Sequence, residues 1–229
     1  MAGNGTLYVV ATPVGNLEDI TLRAIRILKE VEAIACEDTR QTAKLLNKYE
    51  IRKRLISYFQ PRERRRIPEI VSLLKAGRDV ALVSDAGTPG ISDPGFPLIR
   101  EALKEGIRVI PVPGPSAFAA ALSASGLPTH RVLFAGFPPP KSEATRKLLL
   151  SLKDEEATLI FYLPVRRIPE FLHLILETLG DRRMVIAREI TKIHEEFIRG
   201  AARDLLEAAL KRTFKGEATV LIEGRRDRL

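Results

Sequence analysis

Val80-Ala81-Leu82-Val83-Ser84-Asp85-Ala86-Gly87-Thr88-Pro89-Gly90-Ile91-Ser92-Asp93-Pro94-Gly95 is the stretch that decides the fold. Val80–Ser84 is short, apolar and followed by breakers, so it reads as a buried strand. The eleven residues Asp85–Gly95 that follow are a loop of unusual make-up. Their three glycines permit positive φ and close approach of a ligand, while their prolines stiffen the rest. A buried strand opening into such a loop is what the carboxyl edge of an open α/β sheet looks like.

Working outward, Thr6–Ala11, Ala33–Cys36, Leu55–Tyr58 and Val109–Pro111 read as further strands. Amphipathic helices lie between them. Thr42, Leu45, Leu46 and Tyr49 form one i, i+3, i+4, i+7 stripe, and Ile67, Ile70, Val71 and Leu74 form another, stopped by Gly77. This alternation predicts an α/β domain over residues 1–112 with a mostly parallel sheet covered on both faces. Beyond the proline-rich Pro111–Pro115, a second α/β domain with a mixed sheet is expected over 116–229. Its elements are a helix over Ser116–Ser125, strands at Arg131–Gly136, Leu159–Tyr162, Met184–Ala187 and Ala218–Ile222, and a helix burying Ile168, Phe171, Leu172, Ile175 and Leu179.

The loops after the five N-terminal strands are Thr12–Asn16, Glu37–Arg40, Phe59–Arg62, Asp85–Gly95 and Val112–Ser116. In a parallel sheet they fall on one edge, where ligands bind. The carboxylates, amide donors and glycines of Asp85–Gly95 suit a zwitterionic, positively charged ligand such as S-adenosylmethionine. No G-x-G-x-x-G follows a strand and no G-x-x-x-x-G-K-[ST] occurs, which argues against a dinucleotide site or a P-loop.

The bulk numbers are compatible with that reading. A chain of 229 residues with net charge +8 can bury one large core or two small ones and favours a polyanionic partner. Cys36 is the only cysteine, so no intramolecular disulfide forms and a reducing, cytoplasmic compartment is expected. The three histidines are scattered without metal-ligand spacing, so no metal site is expected. No stretch supplies the ~20 apolar residues of a membrane span, and no signal peptide is visible.

Ala11–Leu17 followed by Asp19–Ala24 resembles the opening of the tetrapyrrole-methylase superfamily. Cys36-Glu37-Asp38-Thr39-Arg40, Ser84–Gly95, Pro113–Ala117, Ala187–Lys192 and Glu195–Gly200 narrow the likeness to its branch of ribosomal RNA methyltransferases. The resemblance implies a two-domain fold with S-adenosylmethionine in the cleft between the domains, and a homodimer. Its reaction would be 2′-O-methylation of a cytidine in 16S ribosomal RNA, on free RNA or on the small subunit. Carried over by motif, the cofactor residues would be Pro13, Asp85, Ala86, Gly87, Thr88, Ile91, Ser116, Ala117, Leu163 and Ala187. Ile91 and Leu163 would contact the adenine unless they are core residues. The chain departs from its relatives' usual residues at Phe59-Gln60-Pro61-Arg62 and Leu163-Pro164-Val165-Arg166-Arg167, on the expected substrate side. It also ends at Leu229 without the small helical module that many relatives carry.

A ribose hydroxyl is a poor nucleophile, and a nearby carboxylate can accept its proton during attack. Glu37 and Asp38 are the candidates, with capping of the following helix the competing role for Asp38. Arg62, Arg64, Arg65 and Arg66 crowd a helix N-terminus, where cations oppose the dipole, so phosphate binding gives them a reason to be there. Arg40, Arg166 and Arg167 extend the set. Two other readings stay open: a small-molecule, tetrapyrrole-type methylase, and an RNA-binding relative without activity.

Overall fold

A computed structural model describes residues 3–60, 63–212 and 216–225. Two compact units divide between Ser116 and Ala117. The first contains β1 (Thr6–Val10), α1 (Leu22–Glu30), β2 (Ala33–Cys36), α2 (Thr39–Lys48), β3 (Arg54–Ser57), α3 (Glu63–Lys75), β4 (Val80–Val83), α4 (Phe96–Lys104) and β5 (Arg108–Val112). Its sheet has the order β3-β2-β4-β1-β5, and every pairing is parallel.

Successive side chains of a strand point to opposite faces, and both faces of this sheet are covered. Ile34, Cys36, Ala81 and Val83 pack with Ala24, Ile27 and Leu28 of α1 and Leu45 and Leu46 of α2. The alternate residues Ala33, Ala35, Val80 and Leu82 pack with Ile70, Val71 and Leu74 of α3 and Leu98 and Ala102 of α4. The two stripes foreseen in the sequence are therefore the buried faces of α2 and α3. Three strands stop a residue before their expected ends, because Ala11, Tyr58 and Ser84 leave the ladder for the loops.

The second unit contains α5 (Ala117–Ser123), β6 (Val132–Gly136), α6 (Ser142–Ser151), β7 (Thr158–Pro164), α7 (Ile168–Thr178), β8 (Arg183–Arg188), β9 (Glu196–Ala201), α8 (Ala202–Leu210) and β10 (Glu217–Ile222). Its sheet is mixed, in the order β6-β7-β10-β8-β9, with β6 and β7 parallel and the remaining pairs antiparallel. Strand β9 overlaps nearly all of the Glu195–Gly200 motif, whose alternation is too weak to announce a strand.

The larger core of this unit lies under α6, α7 and α8, centred on Phe161 and Phe171. Their rings meet edge to face at 5.2 Å. Phe161→Ala is expected to cost about 3–5 kcal/mol by loss of buried area and creation of a cavity. Urea unfolding would measure that cost.

Candidate active site

Parallel strands share a carboxyl edge, so the first unit gathers the loops after all five strands along one rim. Four of these loops are tied to one another. Thr12 and Gly87 exchange two backbone hydrogen bonds, at 2.8 and 3.0 Å. The buried Thr12 hydroxyl donates to the Ser84 carbonyl at 2.9 Å, and the Ser84 hydroxyl donates to the Gly87 carbonyl at 3.2 Å. Ala11 N–H donates to the Val112 carbonyl at 3.3 Å, and the Thr88 hydroxyl to the Pro115 carbonyl at 3.3 Å. Asp38 N–H donates to Asp85 Oδ1 at 3.0 Å, which joins the β2 loop to the β4 loop. The fifth loop continues past Phe59 and Gln60 into Pro61 and Arg62, which lie outside the described residues.

Backbone conformation explains the make-up of the β4 loop. Gly87, Gly90 and Gly95 have φ of +85°, +80° and +151°, and Ser92 joins them at +63°. Gly95 is the most constrained of the four. A Cβ there would stand 3.1 Å from Gly90 N and 3.2 Å from the Leu82 side chain, so the loop closes back on itself only with glycine.

Glu37, Asp38 and Asp85 lie on this rim, and their surroundings separate them. Asp38 caps α2, accepting from Arg40 N–H at 2.8 Å, and also holds the Arg40 guanidinium at 2.7 and 3.1 Å. The Arg40 side chain draws the Asp38 carboxyl down to about 2, and Arg40 is itself raised by the pairing. Glu37 moves the other way, raised by burial first and then by the charges of Asp85 and Asp38. Asp85 is also raised, chiefly by burial, with the Asp38 charge adding to this and the Asp38 amide opposing it. Burial pushes the Cys36 thiol up to about 11, so it is no thiolate nucleophile at neutral pH. Capping thus occupies Asp38, whereas among the described residues no hydrogen bond engages the Glu37 carboxylate.

The other residues singled out in the sequence divide by unit. Pro13, next to Thr12 of the Thr12–Gly87 bridge, is buried, Ala86 is exposed, Asp85 is exposed as a residue although its carboxyl is partly desolvated, and Thr88 and Ser116 are half-buried. Ile91 is 36% exposed and belongs to the surface of the loop rather than to the core. Among the arginines of the first unit, Arg66 pairs with Glu69 at 2.8 Å, and Arg40 is held by Asp38. Arg64 and Arg65 are exposed in the first turn of α3, with no ion pair among the described residues. Arg62 lies outside those residues.

In the second unit, Ala117 opens α5. Leu163 and Ala187 are buried, the first in the core under α7 and the second in the smaller core on the α5 face. What they can offer a ligand is backbone rather than side chain. Arg166 is exposed. Arg167 is not a free cation: it donates to the Pro138 carbonyl at 3.2 Å and to Thr145 Oγ1 at 3.3 Å, and pairs with Glu170 at 3.5 Å. Sequence reasoning missed Thr12 and Ser84 as the fasteners of the rim. A hydroxyl at a strand end carries no local signal that separates it from an ordinary turn residue.

The family model for tetrapyrrole (corrin/porphyrin) methylases matches residues 6–206. A relative from Halalkalibacterium halodurans named ribosomal RNA small subunit methyltransferase I is 50% identical over 96% of this chain and 76% of its own length. One of the same name from Thermotoga maritima is 48% identical over 96% of this chain and 99% of its own. Among solved structures, uroporphyrin-III-C-methyltransferase from Thermus thermophilus superposes with a TM-score of 0.68 at 20% identity, covering 96% of this chain and 94% of that one; this likeness is one of fold. Methylases of this family take their methyl group from S-adenosylmethionine, and this chain is such a methyltransferase. A matching family model over most of the chain, two relatives near half identity and a shared fold together show that the chain belongs to the tetrapyrrole methylase family.

Proposed function

We propose that this methyltransferase acts on 16S ribosomal RNA, transferring the methyl group to the 2′-hydroxyl of a cytidine. The observation that carries the RNA reading is the near-half identity, over almost the whole chain, to relatives named for ribosomal RNA small-subunit methylation. The exposed Arg64 and Arg65 give it a physical counterpart, since exposed guanidinium groups serve phosphate backbones well and gain entropy by releasing counterions. No described helix is long and apolar enough to cross a membrane. The lone buried cysteine accords with a cytoplasmic protein, and the homodimer rests on the resemblance of the motifs.

The first unit suits the methyl donor on charge. Glu37, Asp38 and Asp85 lie on one rim, and among the described residues Arg40 alone forms an ion pair with any of them; burial raises Glu37 and Asp85 first, and the neighbouring carboxylates add a repulsion. A ligand with a sulfonium and an ammonium group relieves it. Pro13, Asp85–Thr88, Ile91 and Ser116 are the residues assigned to holding the donor there, with Ala117, Leu163 and Ala187 assigned from the second unit by motif. When bound, the donor supplies an electrophilic methyl group. The protein's part is to orient the ribose for in-line attack and to receive the hydroxyl proton, the latter on a Glu37 carboxylate oxygen.

The charge argument predicts a pH dependence with a definite sign. Glu37 and Asp85 hold their protons above the ordinary carboxylate range, so affinity for S-adenosylmethionine should increase as rising pH removes them. S-adenosylhomocysteine lacks the sulfonium charge and should show a shallower slope. Calorimetric titration across pH checks this, and equal slopes would remove the electrostatic role of the rim.

The activity is tested by supplying labelled donor with small ribosomal subunits from a strain lacking this protein. Label in RNA, at one position that resists alkaline cleavage, is the expected result. Label appearing in a porphyrinoid instead would assign the enzyme to small-molecule methylation.

A further inference from the structure

Strands β7 and β8 both pair antiparallel with β10, so they run the same way, and β6 runs parallel to β7. The carboxyl ends of β6, β7 and β8 therefore share one edge of the second unit. Phe137 stands there, directly after β6, and its side chain is left largely in solvent: the residue is 52% exposed. Burying it would be favourable, yet the fold holds it out.

Its mounting is rigid. The Phe137 ring contacts Tyr162 with 5.5 Å between centroids, Tyr162 meets Phe134 at 4.9 Å, and Phe134 stacks on Phe118 at 5.0 Å. The Tyr162 hydroxyl accepts from Phe118 N–H at 3.3 Å, which fixes the middle of this aromatic ladder. Pro138, Pro139 and Pro140 follow Phe137 and restrict the backbone. Arg167 holds the Pro138 carbonyl and Thr145 Oγ1 holds the Pro139 carbonyl at 2.8 Å. On the neighbouring strand end Arg166 projects an exposed guanidinium. An aromatic ring held in place on the same strand-end edge as an exposed cation suits the gripping of unstacked bases of single-stranded nucleic acid.

We propose that Phe137 is a base-stacking residue of the RNA site, receiving an unstacked nucleobase of the substrate while Arg166 contacts the adjoining phosphate. This rests on the RNA reading of the function and adds to it a positioning residue on the second unit. Stacking tolerates any base, so Phe137 contributes grip and placement of the strand rather than base selection.

The chain contains no tryptophan, so Phe137→Trp introduces a single tryptophan at the site, which can be excited selectively over the tyrosines. Its emission should be quenched in a saturable way by a short single-stranded RNA and left unchanged by inorganic polyphosphate, which carries charge without bases. In methyl-transfer assays, Phe137→Leu, which keeps apolar bulk without an aromatic face, should raise KM for RNA about tenfold, in the range of one lost stacking contact. Phe137→Tyr should restore the wild-type KM, and the donor Kd should stay unchanged in all three variants. Phe137→Leu matching wild type, or emission insensitive to RNA, would overturn the stacking role while leaving the RNA activity intact. Emission that varies with protein concentration alone would overturn it in favour of contact with a second copy of the chain. Wild-type enzyme inert towards every RNA offered would overturn the functional reading and the stacking role with it.

Discussion

Glu37→Gln should lower kcat by about 10²–10⁴-fold, the usual contribution of a general base, and this drop should far exceed any rise in the donor Kd. The substitution keeps the shape and removes the proton acceptor. In the wild type, the raised Glu37 must lose its proton before it can accept another, so activity should rise with pH through its folded pKa. The variant should lose that limb of the profile. Stability should respond in the opposite sense. A carboxyl whose pKa is raised by folding favours the folded state below its unfolded pKa, and that contribution fades as pH rises through the folded value. Near neutrality, therefore, Glu37→Gln should melt no lower than wild type, with the difference between them vanishing on acidification. A variant with full kcat would pass the base role to another group. Asp85, the other raised carboxyl on this rim, would be the next to test.

The second large effect is expected at Thr88. Its half-buried side chain lies in the β4 loop, and its hydroxyl ties that loop to the β5 loop by donating to the Pro115 carbonyl. Thr88→Tyr puts an aromatic ring where the donor is assigned to sit, and affinity for S-adenosylmethionine should fall at least about 100-fold, equivalent to roughly 2.7 kcal/mol. Thr88→Ser retains the hydroxyl and should bind the donor like wild type. Circular dichroism separates occlusion from misfolding, since the rim stays joined by the Thr12–Gly87 bridge, which Thr88 does not form. A folded Thr88→Tyr protein with unchanged affinity would place the donor away from this loop.

Much of the first unit was legible because its signals are local. Val80–Ser84 and Ala33–Cys36 are apolar runs that suit strands buried on both faces. The Thr42-Leu45-Leu46-Tyr49 and Ile67-Ile70-Val71-Leu74 stripes have the helical period. The glycines at 87, 90 and 95 sit where the backbone takes positive φ. Local backbone preference and hydrophobic period act within a few residues, so one chain displays them without an alignment. Strand β9 and the aromatic ladder of the second unit were hidden, because Glu196–Ala201 alternates weakly and nothing in the sequence brings Phe118, Phe134, Phe137 and Tyr162 together.

By itself the sequence determined every strand but β9, which loop would need its glycines and which carboxyls were available as candidates. Only the tertiary structure decided how those carboxyls differ. Asp38 and Glu37 are neighbours in the chain, yet Asp38 is drawn down by Arg40 and the start of α2, while Glu37 is pushed up by burial beside Asp85, 48 residues further on. A pKa depends on solvation and on charges within a few ångströms, and those distances are set by strand pairing across the sheet rather than by order along the chain.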